Sequence, residues 1–161
     1  MTKLTKKEVQ DRLTQNEKKW TPTLMKAGWT VLPSVILERQ HALGLDALDI
    51  NILLHLAKYW WYSENPPRPS KQAIAECIGV DKSTIRRRIA RMEKDGLISR
   101  QARYDKKYGQ QSNSYLFDGL IKSATPFAEE AIEAREQQQN DASERRTRKR
   151  PKKVSKPKED Q

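Results

Sequence analysis

The sequence predicts a mainly α-helical fold with one small β-hairpin. Three segments of the 161-residue chain support this prediction. Residues 70–96 are typical of two short capped helices, residues 46–62 of a mostly apolar helix, and residues 98–117 of two strands joined by a polar turn. Because both ends of the chain are polar, we place the folded domain at residues 22–122.

Residues 1–21 form a polar N-terminal extension that we expect to be helical. Thr5 and Glu8 have the spacing of a capping box, and Val9 and Leu13 lie four residues apart. An apolar stripe this narrow does not hold a helix in water, so the extension needs a partner or frays.

Residues 22–62 are predicted to supply much of the core. The stretch 22–45 has enough apolar residues for a strand and a first core helix, which Pro33 is suited to start. Residues 46–62 are the densest apolar region, and their polar residues fall on one narrow stripe. We therefore expect a helix there that is buried on most sides.

Two amphipathic helices follow a proline-rich loop. The Ser70 hydroxyl can cap the first helix, and Gly79 can adopt the left-handed conformation of a tight turn. Asp81 is placed to cap the second helix, residues 82–95. The apolar face of that second helix consists of Ile85, Ile89 and Met92. This order is typical of a helix-turn-helix motif whose second helix is exposed for reading DNA.

A predicted hairpin follows the second helix. Residue types alternate from Ile98 to Tyr104, the segment DKKYGQQSN suits a turn, and Tyr115 and Phe117 share one face of a returning strand. A helix-turn-helix followed by a basic hairpin, here residues 98–117, is the order of a winged helix. Its basic residues are expected along DNA phosphates or in the minor groove: Arg100, Arg103, Lys106 and Lys107.

The segment PSKQAIAECIGVDKSTIRRRIARMEKDGLISR and the hairpin ending NSYLF resemble the winged helix-turn-helix superfamily. Within it, the chain resembles MarR- and GntR-type regulators and the DNA-binding domains of phage and plasmid replication initiators. The segment GWTVLPSVILERQHALGLDALDINILLHLAKYW also looks like the opening of such domains, so the resemblance covers residues 28–121. GntR-type regulators carry an effector domain, and nothing after Phe117 is large enough to be one, so we expect no small-molecule effector.

The resemblance implies roles for individual residues on the DNA-facing surface. Base readout is expected from Ser83, Thr84 and Arg87, and phosphate contacts from Ser70 and Lys71. Further backbone contacts are expected from the preceding loop and the second helix: Arg68, Lys82, Arg86, Arg88 and Arg91. Arg87 lies opposite the apolar face of its helix, and its guanidinium fork suits guanine O6 and N7.

The C-terminal part is predicted to be a helix at residues 123–139, opened by Pro126, and then a disordered tail at 140–161. The run RRTRKRPKK favours a basic arm that adds sequence-independent affinity for nucleic acid. Its basic residues are Arg145, Arg146, Arg148, Lys149, Arg150, Lys152 and Lys153. Apolar stripes on the two terminal helices lead us to expect a homodimer.

The composition favours a polyanionic partner. The net charge is +11, and neutralising DNA phosphates releases counterions. No apolar run approaches the length of a membrane span, so we expect a cytoplasmic, nucleoid-associated protein without membrane contact. Cys77 is the only cysteine, which excludes an intrachain disulfide, and we expect its thiol to be buried and inert.

No motif indicates catalysis, a metal site or a cofactor. Two histidines and one cysteine do not supply a structural-zinc cluster, and neither a Gly-rich phosphate loop nor GxSxG is present. Asp46 and Asp49 open the apolar helix, where capping and the helix dipole explain both. We expect no carboxylate with a pKa raised by burial, and hence no enzyme.

Three functions remain open. The first is a sequence-specific transcription regulator, most simply a bacterial repressor that reads the major groove with helix 82–95 and touches the backbone or minor groove with wing 98–117. The second is a DNA-binding subunit of a replication or maintenance system of a phage or plasmid, that is, of a mobile genetic element. The third is an adaptor that uses the winged fold to bind protein.

Overall fold

The structure, a computed structural model, describes residues 5–149, except for the side chains of residues 6–10, 12 and 13. The helices are α1 (Lys6–Trp20), α2 (Pro22–Ala27), α3 (Ser34–Glu38), α4 (Ala47–Ala57), α5 (Lys71–Ile78), α6 (Lys82–Lys94) and α7 (Asp118–Thr147). The strands are β1 (Ser99–Asp105) and β2 (Gly109–Leu116). The chain divides between Ala124 and Thr125 into two compact units. The predicted fold class, a mainly helical winged helix-turn-helix, is confirmed.

Helix α4 forms the centre of the core in the first unit. Its residues Ile52, Leu53 and Leu56 are fully buried. Asp46 caps it by accepting hydrogen bonds from the amides of Leu48 (2.9 Å) and Asp49 (3.0 Å). The Asp49 carboxylate accepts one in return from the Asp46 amide at 2.9 Å, which completes a capping box. The predicted buried helix is therefore present over residues 47–57, but the prediction that it extends to residue 62 is wrong.

The helix-turn-helix is built as the sequence predicts. The Ser70 hydroxyl accepts a hydrogen bond from the Ala73 amide at 3.0 Å, and Gly79 ends α5 in the left-handed conformation (φ 80°). The apolar face of α6 is fully buried: Ile85, Ile89 and Met92. Asp81 occupies the cap position of α6, but it caps with its backbone carbonyl, which accepts from the Thr84 amide at 2.9 Å. Within the described structure its carboxylate makes no capping bond, which corrects the sequence prediction.

The hairpin after α6 packs on the core through its base. Strands β1 and β2 pair antiparallel, with Arg100 opposite Tyr115 and a register irregularity between Gln101 and Arg103. Tyr115 and Phe117 are buried, as their shared face predicts. The Tyr115 amide also donates to the Pro67 carbonyl at 3.0 Å, which ties the wing to the loop before α5.

The strand predicted between residues 22 and 45 is wrong. Residues 22–27 form α2, residues 28–33 are irregular, and Pro33 precedes α3 as its N-cap. A strand needs a partner for its backbone groups, and the sheet of the described residues consists of β1 and β2 alone. Trp29 and Val31 consequently stay exposed.

The boundaries predicted for the C-terminal helix also need correction. Helix α7 begins at Asp118 instead of residue 123, so Pro126 lies inside it. Its start is held by a hydrogen bond from the Leu120 amide to the Leu97 carbonyl (2.6 Å), and Gly119 lies so close to the Gly96 carbonyl that no Cβ fits. Residues 140–147, predicted to be disordered, are helical. Side-chain pairs at i,i+4 support this end, including Gln137 with Asp141 at 2.9 Å.

Two other predictions meet the limits of the described residues. The capping box with Glu8 and the apolar stripe of Val9 and Leu13 rest on side chains outside the described part of the chain. Residues 150–161, with Arg150, Lys152 and Lys153, also lie outside it. Between residues 5 and 149, no helix is both long and apolar enough to cross a membrane.

Candidate nucleic-acid interface

The N-terminal half of α6 presents a polar face to solvent. Ser83 and Arg87 are exposed on the side opposite the buried apolar residues, and Thr84 is half-buried on the flank. The Arg87 Nη2 donates a hydrogen bond to the Thr84 hydroxyl at 3.3 Å. This contact orients the guanidinium across the helix surface, so the three predicted readout residues lie on one exposed face.

Beside this face lies a recess of about 490 Å³ between the start of α5, the start of α6 and strand β2. We call it the cationic groove, because Lys71, Lys82 and Arg100 line it. Its uncharged hydrogen-bonding side chains are Ser70, Gln72, Gln110, Gln111, Ser112, Asn113 and Tyr115. The groove combines cations with neutral donors, which is the chemistry that binds a phosphodiester.

The charge of the groove is visible in the pKa of Lys71. Partial burial lowers that pKa first, and the positive charges of Arg100, Lys82 and Arg86 lower it further. Glu93 offsets this effect only in part. Lys71 therefore sits in a positive potential that a bound anion would relieve.

Two arginines of α6 take part in a different set of contacts. Arg88 pairs with the Asp46 carboxylate and lies 3.8 Å from that of Asp49, while Arg91 pairs with Asp49. The Asp49 side chain is fully buried. The prediction that Arg88 and Arg91 contact the DNA backbone does not fit these positions, because both side chains are turned towards the start of α4.

The two aspartates of this cluster respond to their surroundings in opposite directions. Burial raises the pKa of Asp49 above its usual value, and the neighbouring charge of Asp46 adds to the increase. Burial acts to raise the pKa of Asp46 too, but hydrogen bonds from the Asp49 amide and from Arg88 outweigh it and hold that pKa low. The expectation that no carboxylate has a pKa raised by burial is therefore wrong for Asp49.

Arg100 is also engaged within the protein. Its Nε donates to the Glu93 carboxylate at 2.8 Å, and its Nη2 contacts the same oxygen. Hydrogen bonding from Arg100 lowers the pKa of Glu93, and the same bond raises that of Arg100. Arg100 thus fixes the base of the wing to α6, and it reaches the cationic groove from this anchored position.

The other predicted cations are more accessible. Arg68 is exposed in the loop before α5, Lys106 and Lys107 are exposed at the hairpin tip, and Arg103 is half-buried. Within the second unit, the exposed basic residues of the predicted arm are Arg145, Arg146, Arg148 and Lys149. Arg148 lies 3.9 Å from Glu144, one turn earlier.

Sequence reasoning missed the polar residues of β2 and misplaced Cys77. The composition of residues 110–113 is that of a turn, which predicts a hairpin tip rather than a strand that lines a groove. Cys77 is exposed, not buried, since Ile74, Ala75 and Ile78 define a face of α5 that excludes it. Among the described residues, no group of three or more His, Cys, Asp or Glu side chains is placed to hold a metal ion.

Comparison with known proteins agrees with this geometry. Residues 61–107 match the MarR family, a winged-helix DNA-binding family, and this segment covers α5, the turn, α6 and the first strand of the hairpin. No curated protein matches the chain significantly. Among solved structures, the chain is similar to the N-terminal domain of DnaD protein from Geobacillus kaustophilus HTA426, with 18% identity and a TM-score of 0.47 over 86% of this chain and 99% of that one. The family match and the observed fold identify the chain as a winged helix-turn-helix protein.

Proposed function

We propose that the protein is a sequence-specific regulator that binds double-stranded DNA, most simply a bacterial repressor that occludes a promoter. The observation that carries this proposal is the exposed polar face of α6 beside the cationic groove. A reading helix and a phosphate-binding recess on one surface are what a duplex reader needs, because base edges specify a site and phosphates fix the orientation of the protein.

In the proposed complex, the N-terminal half of α6 enters the major groove. Arg87 donates both guanidinium N–H groups to guanine O6 and N7, a contact worth roughly 1–3 kcal/mol of discrimination. Ser83 and Thr84 lie on the same face and complete the readout. The half-buried position of Thr84 limits its contribution to orienting Arg87 and to bases directly above the helix.

Phosphates of the duplex are assigned to the groups around the reading helix. Ser70, Lys71, Lys82 and Arg86 surround the start of α5 and α6, and Lys106 and Lys107 extend along the flanking backbone from the wing tip. Arg68 joins them from the loop. Arg88 and Arg91 are left out of this set, because their guanidinium groups are used by Asp46 and Asp49.

We further propose a homodimer that pairs through the terminal helices. Two copies of α6 then bind half-sites about one helical turn, or roughly 10 base pairs, apart. The basic arm adds affinity without sequence preference, since counterion release does not depend on base identity. No small-molecule effector forms part of this proposal.

The test is selection of bound sequences from a random duplex library with the full-length protein, followed by footprinting on the selected site. We expect an enriched motif with two related half-sites and protection of both major-groove faces. Recovery of duplexes without a shared motif, together with affinity equal to that for random DNA, would overturn sequence-specific binding.

A second candidate function is a DNA-binding subunit of a phage or plasmid replication or maintenance system. The exposed aromatic side chains of Tyr59, Trp61 and Tyr62 favour it, because a replication protein meets unpaired bases as well as duplex. Chromatin immunoprecipitation from cells distinguishes the two functions, since a regulator recovers promoter DNA and a replication subunit recovers origin repeats.

A further inference from the structure

An aromatic surface adjoins the cationic groove at Pro69. A recess of about 460 Å³ shares Pro69 with the cationic groove and reaches Tyr59 and Asn65. A further recess of about 310 Å³ shares Tyr59 and Asn65 and is lined by Trp61 and Tyr62. We call these two adjoining recesses the aromatic groove. It adjoins the cationic groove at Pro69.

Three large aromatic side chains in this groove stay in contact with solvent. Tyr59 is 49%, Trp61 62% and Tyr62 66% exposed. Single exposed aromatic residues are common on protein surfaces, but adjoining ones mark a binding surface. Three adjoining exposed rings therefore indicate a surface that binds a ligand or partner.

The rings are attached to a rigid support. Trp60, between Tyr59 and Trp61, stacks on the buried Phe117 with ring centroids 5.0 Å apart and planes 15° apart. Trp61 also meets Trp29 edge to face, with centroids 6.1 Å apart. On the other side, the loop is stiffened by Pro66, Pro67 and Pro69. A groove held in this way loses little conformational entropy when a ligand binds.

The charges around the rings favour an anionic occupant. Residues 58–71 hold three cations, Lys58, Arg68 and Lys71, against the single acid Glu64. Arg68 lines the recess that joins the two grooves. The Lys58 ammonium lies 5.5 Å from the centre of the Tyr59 ring. Aromatic faces interleaved with cations are the arrangement by which proteins hold unpaired nucleotides.

We propose that the aromatic groove binds single-stranded nucleic acid, whose unpaired bases stack on Tyr59, Trp61 and Tyr62. The phosphates of that strand run past Arg68 towards the cationic groove. In a duplex the base faces are covered by neighbouring base pairs, so the occupant is an unpaired segment. A strand that leaves a duplex held on α6 reaches these rings past Pro69 and Arg68.

This inference adds an activity to the proposed duplex reader. The aromatic rings are absent from the reading face of α6, and Pro69 is the residue that the two grooves share. Loss of duplex readout and loss of single-strand binding are therefore separable by mutation. Either proposal can fail while the other holds.

The experiment is fluorescence anisotropy of the full-length protein with labelled oligo(dT) of about 20 nucleotides, long enough for several stacked bases. The same titration with a random duplex is the comparison. We expect Trp61→Ala to weaken oligo(dT) binding about five-fold to a hundred-fold, which is the range for loss of one stacked base, and Tyr59→Ala/Tyr62→Ala to weaken it further, while duplex affinity is unchanged. Tyr62→Phe keeps the ring and is expected to bind as the wild type does.

Tyr104→Ala is the matched control, because Tyr104 is 82% exposed but lies on the wing outside the aromatic groove. We expect it to leave oligo(dT) affinity unchanged. Equal oligo(dT) affinity of the wild type and both ring-removing variants would overturn the proposal. If those variants instead changed the sedimentation of the protein, the groove would be an interface for a second copy.

Discussion

Replacing Asp49 by asparagine tests how the reading helix is held. Asp49 is fully buried and accepts hydrogen bonds from the Asp46 amide and from Arg91, and Arg88 lies 3.8 Å away. Asparagine keeps nearly the same shape but removes the charge. We expect the folded state to lose stability and the Arg91 guanidinium to be released, while Arg88 keeps its pairing with Asp46.

The expected loss of stability is moderate. Breaking a fully buried ion pair costs about 3–5 kcal/mol, because the remaining charge is stranded. Here the Arg91 side chain is 40% and the Arg88 side chain 31% exposed, so both can turn to water. The substitution also removes a charge that burial disfavours, as the raised pKa of Asp49 indicates. We therefore expect a loss of about 2 kcal/mol, or a fall in Tm of roughly 10 °C for a domain of this size.

Thermal unfolding followed by circular dichroism gives the first readout, and the salt dependence of duplex binding gives the second. A released Arg91 can reach a phosphate, so the plot of log affinity against log salt should steepen by up to about 0.9. Asp95→Asn is the control, because Asp95 follows α6 but is exposed. An Asp49→Asn protein with the Tm and salt slope of the wild type would refute this account of the cluster.

Three further substitutions or truncations probe the core, the base of the wing and the basic arm. Ile85→Ala should cost about 2–5 kcal/mol of stability by leaving a cavity in the core, so DNA binding should fall only as the domain unfolds. An unchanged Tm together with abolished DNA binding would place Ile85 on the DNA-facing side of α6. Arg100 holds the pKa of Glu93 below its ordinary value of 4.5, so the stability from this pair is fully present above pH 4.5 and is lost as the pH falls through the lower pKa of the folded state. Glu93→Gln should therefore flatten the acid side of a plot of stability against pH. A plot for Glu93→Gln that runs parallel to that of the wild type would count against the pair. Removing residues 148–161 leaves α7 intact. It should flatten the plot of log affinity against log salt by roughly 0.9 for each phosphate that the arm no longer neutralises, while the preference for the selected site is retained. A slope identical to that of the wild type would leave solubility or a protein partner as the role of the arm.

The helix-turn-helix and the wing could be predicted because their signals are local. The Ser70 cap, the Gly79 turn and the four-residue spacing of Ile85 and Ile89 each act within one or two helical turns. The apolar residues Tyr115 and Phe117 likewise needed only the alternation of a strand. These features fixed which face of α6 is buried and which is exposed.

The partners of the arginines could not be predicted in the same way. Arg88 and Arg91 contact aspartates 42 residues earlier in the chain, and periodicity gives the face of a helix but not its neighbour. Strand pairing is also non-local, which is why the strand predicted between residues 22 and 45 is wrong. The aromatic groove depends on how the loop of residues 59–69 folds back, and the residue pattern alone does not reveal it.

The prediction of a disordered tail is wrong for residues 140–147 for a different reason. It rests on the scarcity of apolar residues, which rules out a core but not an extended helix. Residues 137–147 are mostly good helix formers, and pairs such as Gln137 with Asp141 add support at i,i+4. For residues 140–147, helix propensity therefore predicts the observed helix better than charge and polarity predict disorder.

The most direct test of the central claim compares Arg87→Ala with Lys94→Ala on the selected site and on random duplex at one salt concentration. Both residues are exposed cations of α6, but Arg87 lies on the reading face and Lys94 in the last turn. The account predicts that Arg87→Ala loses the preference for the selected site, by about ten-fold or more, while affinity for random duplex changes little. Lys94→Ala should keep the preference. An equal loss of affinity by Arg87→Ala on both duplexes would contradict the account and make Arg87 a phosphate contact.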